Sequence, residues 1–349
     1  MTRCENCLRA IRFEKPEHLP LRLSVNASCW HHYDQEALKD LLESHPLLFP
    51  NYKRPKGKVE PRYLLNARAG IPYEDPWGCV WETSDDGITG SVTRHPLAEW
   101  SSFADYQPPD PSVTDGTYPL DWTEIKENVK KRRSEGDFIS TGLPHGHTFL
   151  RLQDIRGYTN VLYDMADGNE NLLKLIDMIS DFNYAYIQHC LELEPDMMSY
   201  PEDLGMQVGP MVSPEHFRRF IKPVYQRMMK PARDRSIPVH MHSDGDIRAL
   251  AADLIDGGVD VLNLQDLVNG IDWIRDNFAG RICIDLDIDR QRITRFGTPQ
   301  QIDALIREEV QKLGSKEGGL MLTYGVYPGI PLVNIAAVMD AMERYATYY

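Results

Sequence analysis

The sequence predicts an α/β protein folded as a single TIM (β/α)8 barrel. Three observations carry this. From about Phe138 onward, short β-like runs alternate with amphipathic helical segments, the pattern of parallel strands with helices outside. At 349 residues, 42% of them apolar, the chain is long enough for one such barrel with decorations. No G-x-G-x-x-G follows a predicted strand, which weakens the doubly wound alternative.

LRLSV at 21–25 supplies a first strand. FISTG at 138–142, PDMMSYPED at 195–203 and IPVHMHSD at 237–244 continue the series. VDVLNLQD at 259–266, RICIDLD at 281–287 and GLMLTYG at 319–325 complete it, with eight strands within reach. Apolar residues three and four apart predict a helix over about 170–193. Ser213-Pro214-Glu215 opens another helix, with a capping serine and a proline in the first turn. Thr298 and Gln301 form a capping box for a third. The stretch from about 47 to 111 differs, being rich in proline and aromatics. Within it PWGCVWETSDDGITGSVTRHPL reads as two short strands joined around Asp86-Gly87. This hairpin is expected to decorate the barrel, either near the mouth as a lid or away from the site as a brace. With no internal repeat, residues 1–349 read as one domain.

The formal net charge of −14 is a poor match for a phosphate backbone, so nucleic acid is not an expected partner. No apolar run approaches the roughly 18 residues of a membrane span. MTRCENCLRAIRFEKPEHLPL lacks the apolar core of a secretory signal, so a cytoplasmic enzyme is expected. Of six cysteines only Cys4 and Cys7 form a C-x-x-C, and no second ligand pair follows it. Scattered thiols fit a reducing compartment.

Barrel chemistry sits at the C-terminal ends of the strands, and polar residues collect there. They are Glu202 and Asp203, then His240, His242 and Asp244, Gln265 and Asp266, Asp285 and Asp287, and Tyr324. Residues two apart on a strand share a face, so His240 and His242 point together while Val239 and Met241 face the helices. Three readings stay open for the pair: metal ligands, substrate hydrogen-bonding groups, or structural histidines. Catalytic zinc usually takes three protein ligands, and Glu202, Asp244, Gln265, Asp285 or Tyr324 could add to the pair. A rival pair, His145 and His147 in GLPHGHTF, follows another predicted strand and is expected in a substrate loop.

RAIRFEKPEHLPL, YPEDLGMQVGPMVSPEHFRRFIKPVYQRM, VHMHSDGDIRALAADLIDGGVDVLNLQ and YPGIPLVNIAAVMDAMERY together resemble the uroporphyrinogen decarboxylase superfamily along nearly the whole chain. That group includes the decarboxylase and the zinc-dependent methyltransferases of corrinoid pathways, and the resemblance implies a TIM barrel. The decarboxylase branch carries an arginine-rich segment after the first strand. Here LRLSVNASCWHHYDQEALKD has only Arg22, too few guanidinium groups for a substrate rich in carboxylates. The methyltransferase branch is closer. Its zinc site uses His-x-Cys on one strand and a Cys on a later one. His240 matches the histidine, His242 stands at the first cysteine, Tyr324 falls near the second, and Gln265 falls near a glutamate of related enzymes.

The resemblance therefore implies a methyltransferase acting between a small-molecule substrate and a corrinoid protein or tetrahydrofolate. The expected metal is zinc on His240, His242 and Glu202. Glu202, His240, His242 and Asp244 are the expected catalytic residues. Asp203, Gln265, Asp285, Tyr324, His145 and His147 are expected to bind substrate. The alternatives are a metal-independent decarboxylase, drawing on Arg151, Arg156, Arg218 or Arg219, and a barrel that binds ligand without turnover.

Overall fold

A computed structural model describes residues 1–347, so Tyr348 and Tyr349 of the expected single domain lie outside the described residues. In chain order the strands are β1 (Leu21–Val25), β2 (Tyr73–Glu74), β3 (Val80–Glu82), β4 (Ser91–Arg94) and β5 (Ser140–Gly142). They continue with β6 (Met197–Ser199), β7 (Val239–Ser243), β8 (Val261–Gln265), β9 (Cys283–Asp287) and β10 (Leu320–Val326). Seven of them form one parallel sheet in the order β1-β10-β9-β8-β7-β6-β5. Six of these lie within the runs read from the sequence, and β10 extends one residue past its run, to Val326. The fold is α/β with a curled parallel sheet, compatible with a TIM-like barrel.

The expected eighth parallel strand is not among the described residues. The sheet's two outer strands are β1 and β5, and the strands formed between them in sequence, β2, β3 and β4, pair antiparallel with one another instead. The hairpin read around Asp86-Gly87 corresponds to β3 and β4, joined by a loop longer than a two-residue turn. That loop is tied down: Gly87, at φ +80°, donates its N–H to the Ala67 carbonyl, and Asn26 donates to the Gly87 carbonyl.

The strand period separates two environments. Val239, Met241, Leu262, Leu264, Ile284 and Leu286 join the large apolar core with the helices. On the opposite face of the same strands a small second cluster plugs the N-terminal end of the barrel. It comprises Ala10 and Ile11 from the helix Arg3–Arg12 with Met197, Val261, Cys283 and Met321. Between this plug and the C-terminal rim, inward positions turn polar: Ser199, His240, His242, Asn263, Asp285 and Asp287. The helices begin as the sequence dictates. Asn169 caps Glu170–Leu191, Ser213 caps Pro214–His216, and the Thr298–Gln301 box caps Pro299–Leu313. Among the described residues no helix is long and apolar enough to cross a membrane.

Candidate active site

His242 is the centre of the polar rim. Asn263, one strand over, donates its side-chain amide to the Asp285 carbonyl, which leaves its Oδ1 facing His242 Nδ1. The proton therefore sits on Nδ1, and Nε2 keeps its lone pair. That nitrogen lies 3.6 Å from Asp203 Oδ1 and 3.6 Å from Asp244 Oδ1. Asp203 and Asp244 belong to the loops after β6 and β7, which meet backbone to backbone. A Cβ on Gly245 would come within 2.2 Å of the Gly205 backbone, and Gly245 also holds φ +80°. Only glycine permits this approach. It brings the Asp244 N–H to Asp203 Oδ1 at 3.0 Å.

His145 completes the group, its Nε2 3.3 Å from Asp203 Oδ1. One ligand-type atom each from His145, Asp203 and His242 lie within 4.8 Å of one another. Two imidazoles and one carboxylate make a donor set that catalytic zinc accepts, with room for a further ligand. A second group, His242, Asp244 and Asp287, satisfies the same distance. There, however, Arg290 Nη2 sits 2.7 Å from Asp287 Oδ2 and 3.3 Å from Asp244 Oδ1, so a cation is already supplied. Burial opposes ionisation of Asp203, but the hydrogen bond and charge of His145 outweigh it and hold the carboxyl below its usual range. Burial likewise opposes protonation of His145, and Asp203 outweighs it, raising the imidazole. At His242 burial wins and the imidazole is lowered, which keeps the Nε2 lone pair available.

The group lies on one side of a cleft of about 660 Å³. Across from it, Trp81 of β3, Val92 of β4 and Tyr118 line the wall, so the antiparallel sheet faces the cleft. The sheet is anchored rather than loose. Asp75 Oδ2 accepts from Trp81 Nε1 at 2.9 Å and from buried Arg151 at 2.7 Å, tying the sheet to the helix Phe149–Arg156.

Several expected site residues hold other partners, and His240 and Glu202 do not converge with His242 in either group of closely placed ligand-type atoms among the described residues. His240 lies deeper in the barrel, with Nδ1 3.1 Å from Ser199 Oγ and Nε2 3.0 Å from Asp285 Oδ2. Asp285 Oδ2 also accepts from Arg22 at 2.7 Å. Both nitrogens of His240 are thus occupied. Glu202 is fully buried and accepts from the backbone N–H groups of Thr148, Phe149 and Leu150 and from the Tyr225 hydroxyl. It secures the start of the helix Phe149–Arg156, where a carboxylate offsets the unpaired N–H groups. Gln265 Oε1 accepts from Gly245 N–H and supports the Asp244 turn from behind. Tyr324 donates to Thr294 Oγ1 on the helical side. Its neighbour Gly325 is the position of β10 beside the cleft, where an added Cβ would meet the Arg290 guanidinium at 3.2 Å. His147 is buried, with Nδ1 2.7 Å from Thr148 Oγ1. Of the expected residues, Asp203, Asp244, His145 and His242 line the cleft.

Two cleft residues carried no strand-end signature in the sequence. Arg290 follows β9 in a loop. Asp154 sits inside the helix Phe149–Arg156 and lines the same cleft. No hydrogen-bond donor reaches its carboxylate among the described residues. The nearest cation, Arg151 Nη1 at 3.8 Å, is engaged with Asp75, and Arg151 Nη2 with Thr117. Burial drives the Asp154 carboxyl up to about 7 against the pull of Arg151. The other arginines considered for carboxylate binding are used structurally: Arg156 pairs with Asp164, and Arg218 with Asp253. Arg219 stacks over Phe220.

A polar cleft at the C-terminal ends of parallel strands, walled by a separate small sheet, stands where α/β barrels carry their small-molecule sites. The uroporphyrinogen decarboxylase (URO-D) family model matches residues 146–345, more than half of the chain, and the chain belongs to this family. Uroporphyrinogen decarboxylases from two strains of Thermus thermophilus are 25% identical to it over 178 residues. The match covers 50% of this chain and 48% of each relative, about half the length of those proteins. A solved methyltransferase from Methanosarcina mazei superposes over 99% of both chains with a TM-score of 0.65 at 16% identity, which shows a shared fold.

Proposed function

We propose that the chain is a methyltransferase that moves a methyl group between a small substrate and a corrinoid protein or a folate. The observation that carries this reading is the convergence of His145, Asp203 and His242 on one point of the cleft. These residues would hold a zinc ion, with Asp244 beside them, and the ion would supply a Lewis acid for the substrate heteroatom. The thiolates of the related zinc sites are absent, and a nitrogen and oxygen donor set suits an ether or hydroxyl oxygen better than a thiol.

The chain's own residues account for the rest. Asn263 fixes the His242 tautomer and its aim. Arg290 balances Asp244 and Asp287. Trp81, Val92 and Tyr118 enclose the apolar body of the substrate and exclude water, which gives the antiparallel sheet the role of a fixed wall. Asp154, protonated and without a donor of its own, faces the leaving oxygen. As the methyl carbon–oxygen bond breaks and the acceptor nucleophile bonds to that carbon, Asp154 gives its proton to the departing oxygen. Solvent then restores the proton. Six free thiols and the lack of a membrane-crossing helix among the described residues are compatible with a cytoplasmic setting.

The second reading is a decarboxylase, favoured by the names of the Thermus relatives and by Arg151 and Arg290 in the cleft. Both guanidinium groups are already matched by carboxylates, which weakens it. The deciding experiment supplies the zinc-loaded chain with methoxylated compounds and a reduced corrinoid, and separately with tetrapyrrole and simple carboxylic acids. Formation of methylated corrinoid supports the methyltransferase. Release of carbon dioxide, with no methyl transfer, overturns it.

A further inference from the structure

The opposite end of the barrel carries a second cavity, about 200 Å³, enclosed between the helix Arg3–Arg12 and the N-terminal ends of the strands. Barrel interiors are normally filled there by branched aliphatic side chains. Here three guanidinium groups, from Arg3, Arg22 and Arg132, line the space together with apolar surface from Phe138, Met197 and Met321. Two carboxylates line it too, and each is matched: Asp285 by Arg22 at 2.7 Å and Asp137 by Arg132 at 3.3 Å. Arg3 remains uncompensated, with no hydrogen bond or ion pair among the described residues. Arg22 is about half exposed, and only its Nε and Nη2 are engaged, with Thr323 and Asp285. Its Nη1 donors are therefore open to a ligand.

We propose that this basal cavity binds a small monocarboxylate with a short apolar tail. One net positive charge selects a monoanion over a dianion such as phosphate. The guanidinium fork matches a carboxylate, and the apolar lining takes the alkyl chain. A volume below the usual range of about 300–1,000 Å³ for small-molecule sites limits the tail to a few carbons. The chain is strongly acidic overall, so such an anion is held by these local groups and not by the general field. The ligand would also touch the guanidinium that shares Asp285 Oδ2 with His240, which places it one hydrogen bond away from the polar interior of the barrel.

Calorimetric titration with butyrate, butanamide and butylammonium tests this on the whole chain. Butyrate is expected to saturate one site, with neither neutral nor cationic analogue binding. Arg3→Ala is expected to weaken it about tenfold, the loss of one charged contact. Arg22→Gln is expected to abolish it, and His145→Ala in the upper cleft to leave it unchanged. Because Arg3 is exposed and unpaired, its variant keeps the fold even if Arg22→Gln does not. No saturable butyrate binding, equal affinity in Arg3→Ala, or loss in His145→Ala would each overturn the assignment.

Discussion

His240 and His242 share a strand face, yet their surroundings set them apart. His240 is held between Ser199 and Asp285, with neither nitrogen free. His242 is oriented by Asn263 and offers its lone pair to the cleft. Strand spacing shows that two imidazoles point together. It does not show which partners the neighbouring strands bring, since Asn263 and Asp285 lie more than twenty residues away. Asp154 makes the same point, because a carboxylate inside a helix has no marker of function until the helix is placed beside the cleft. Burial lifts its carboxyl to about 7, and in the proposed reaction the protonated form is the one that acts, so methyl transfer is expected to fall as pH rises through that value. Asp154→Asn should lose this limb and roughly 10²-fold or more in rate. Stability gives an independent readout. An acid raised in the folded state binds its proton more tightly there than in the unfolded chain. Stability therefore declines as pH climbs from the ordinary carboxylate range towards about 7, and the Asn variant should flatten that decline in a series of denaturant melts.

At the level of elements, the parallel strands were legible because each is a short β-branched or apolar run ending in polar residues. The helix starts were legible because caps are local chemistry. The eighth strand was not, since the segment between β1 and β5 forms its own antiparallel sheet, a choice made by long-range pairing rather than by local propensity. The role of Glu202 was hidden for a related reason: a carboxylate at a strand end serves equally as a ligand or as a cap for the next helix. The loops after β6 and β7 depend on the contact between Gly205 and Gly245. Gly245→Ala must move backbone against backbone and force a positive φ on alanine. It should cost about 2–4 kcal/mol in equilibrium unfolding and separate Asp203 from Asp244.

Across the whole molecule, one barrel carries two chemically different ends. The C-terminal end gathers imidazoles and carboxylates under an anchored wall, while the N-terminal end gathers guanidinium groups around an apolar plug. Family membership goes with the fold and leaves the reaction to the cleft. The central claim is that His145, Asp203 and His242, and not His240 or Glu202, hold a metal. The most direct measurement is elemental analysis of the chain purified without chelator, alongside three variants: the His145→Ala, His242→Ala double variant, His240→Ala and Glu202→Gln. The account predicts about one zinc per chain, lost in the double variant and retained by the other two. A native protein without metal, or a metal lost with His240 and kept by the double variant, would contradict it.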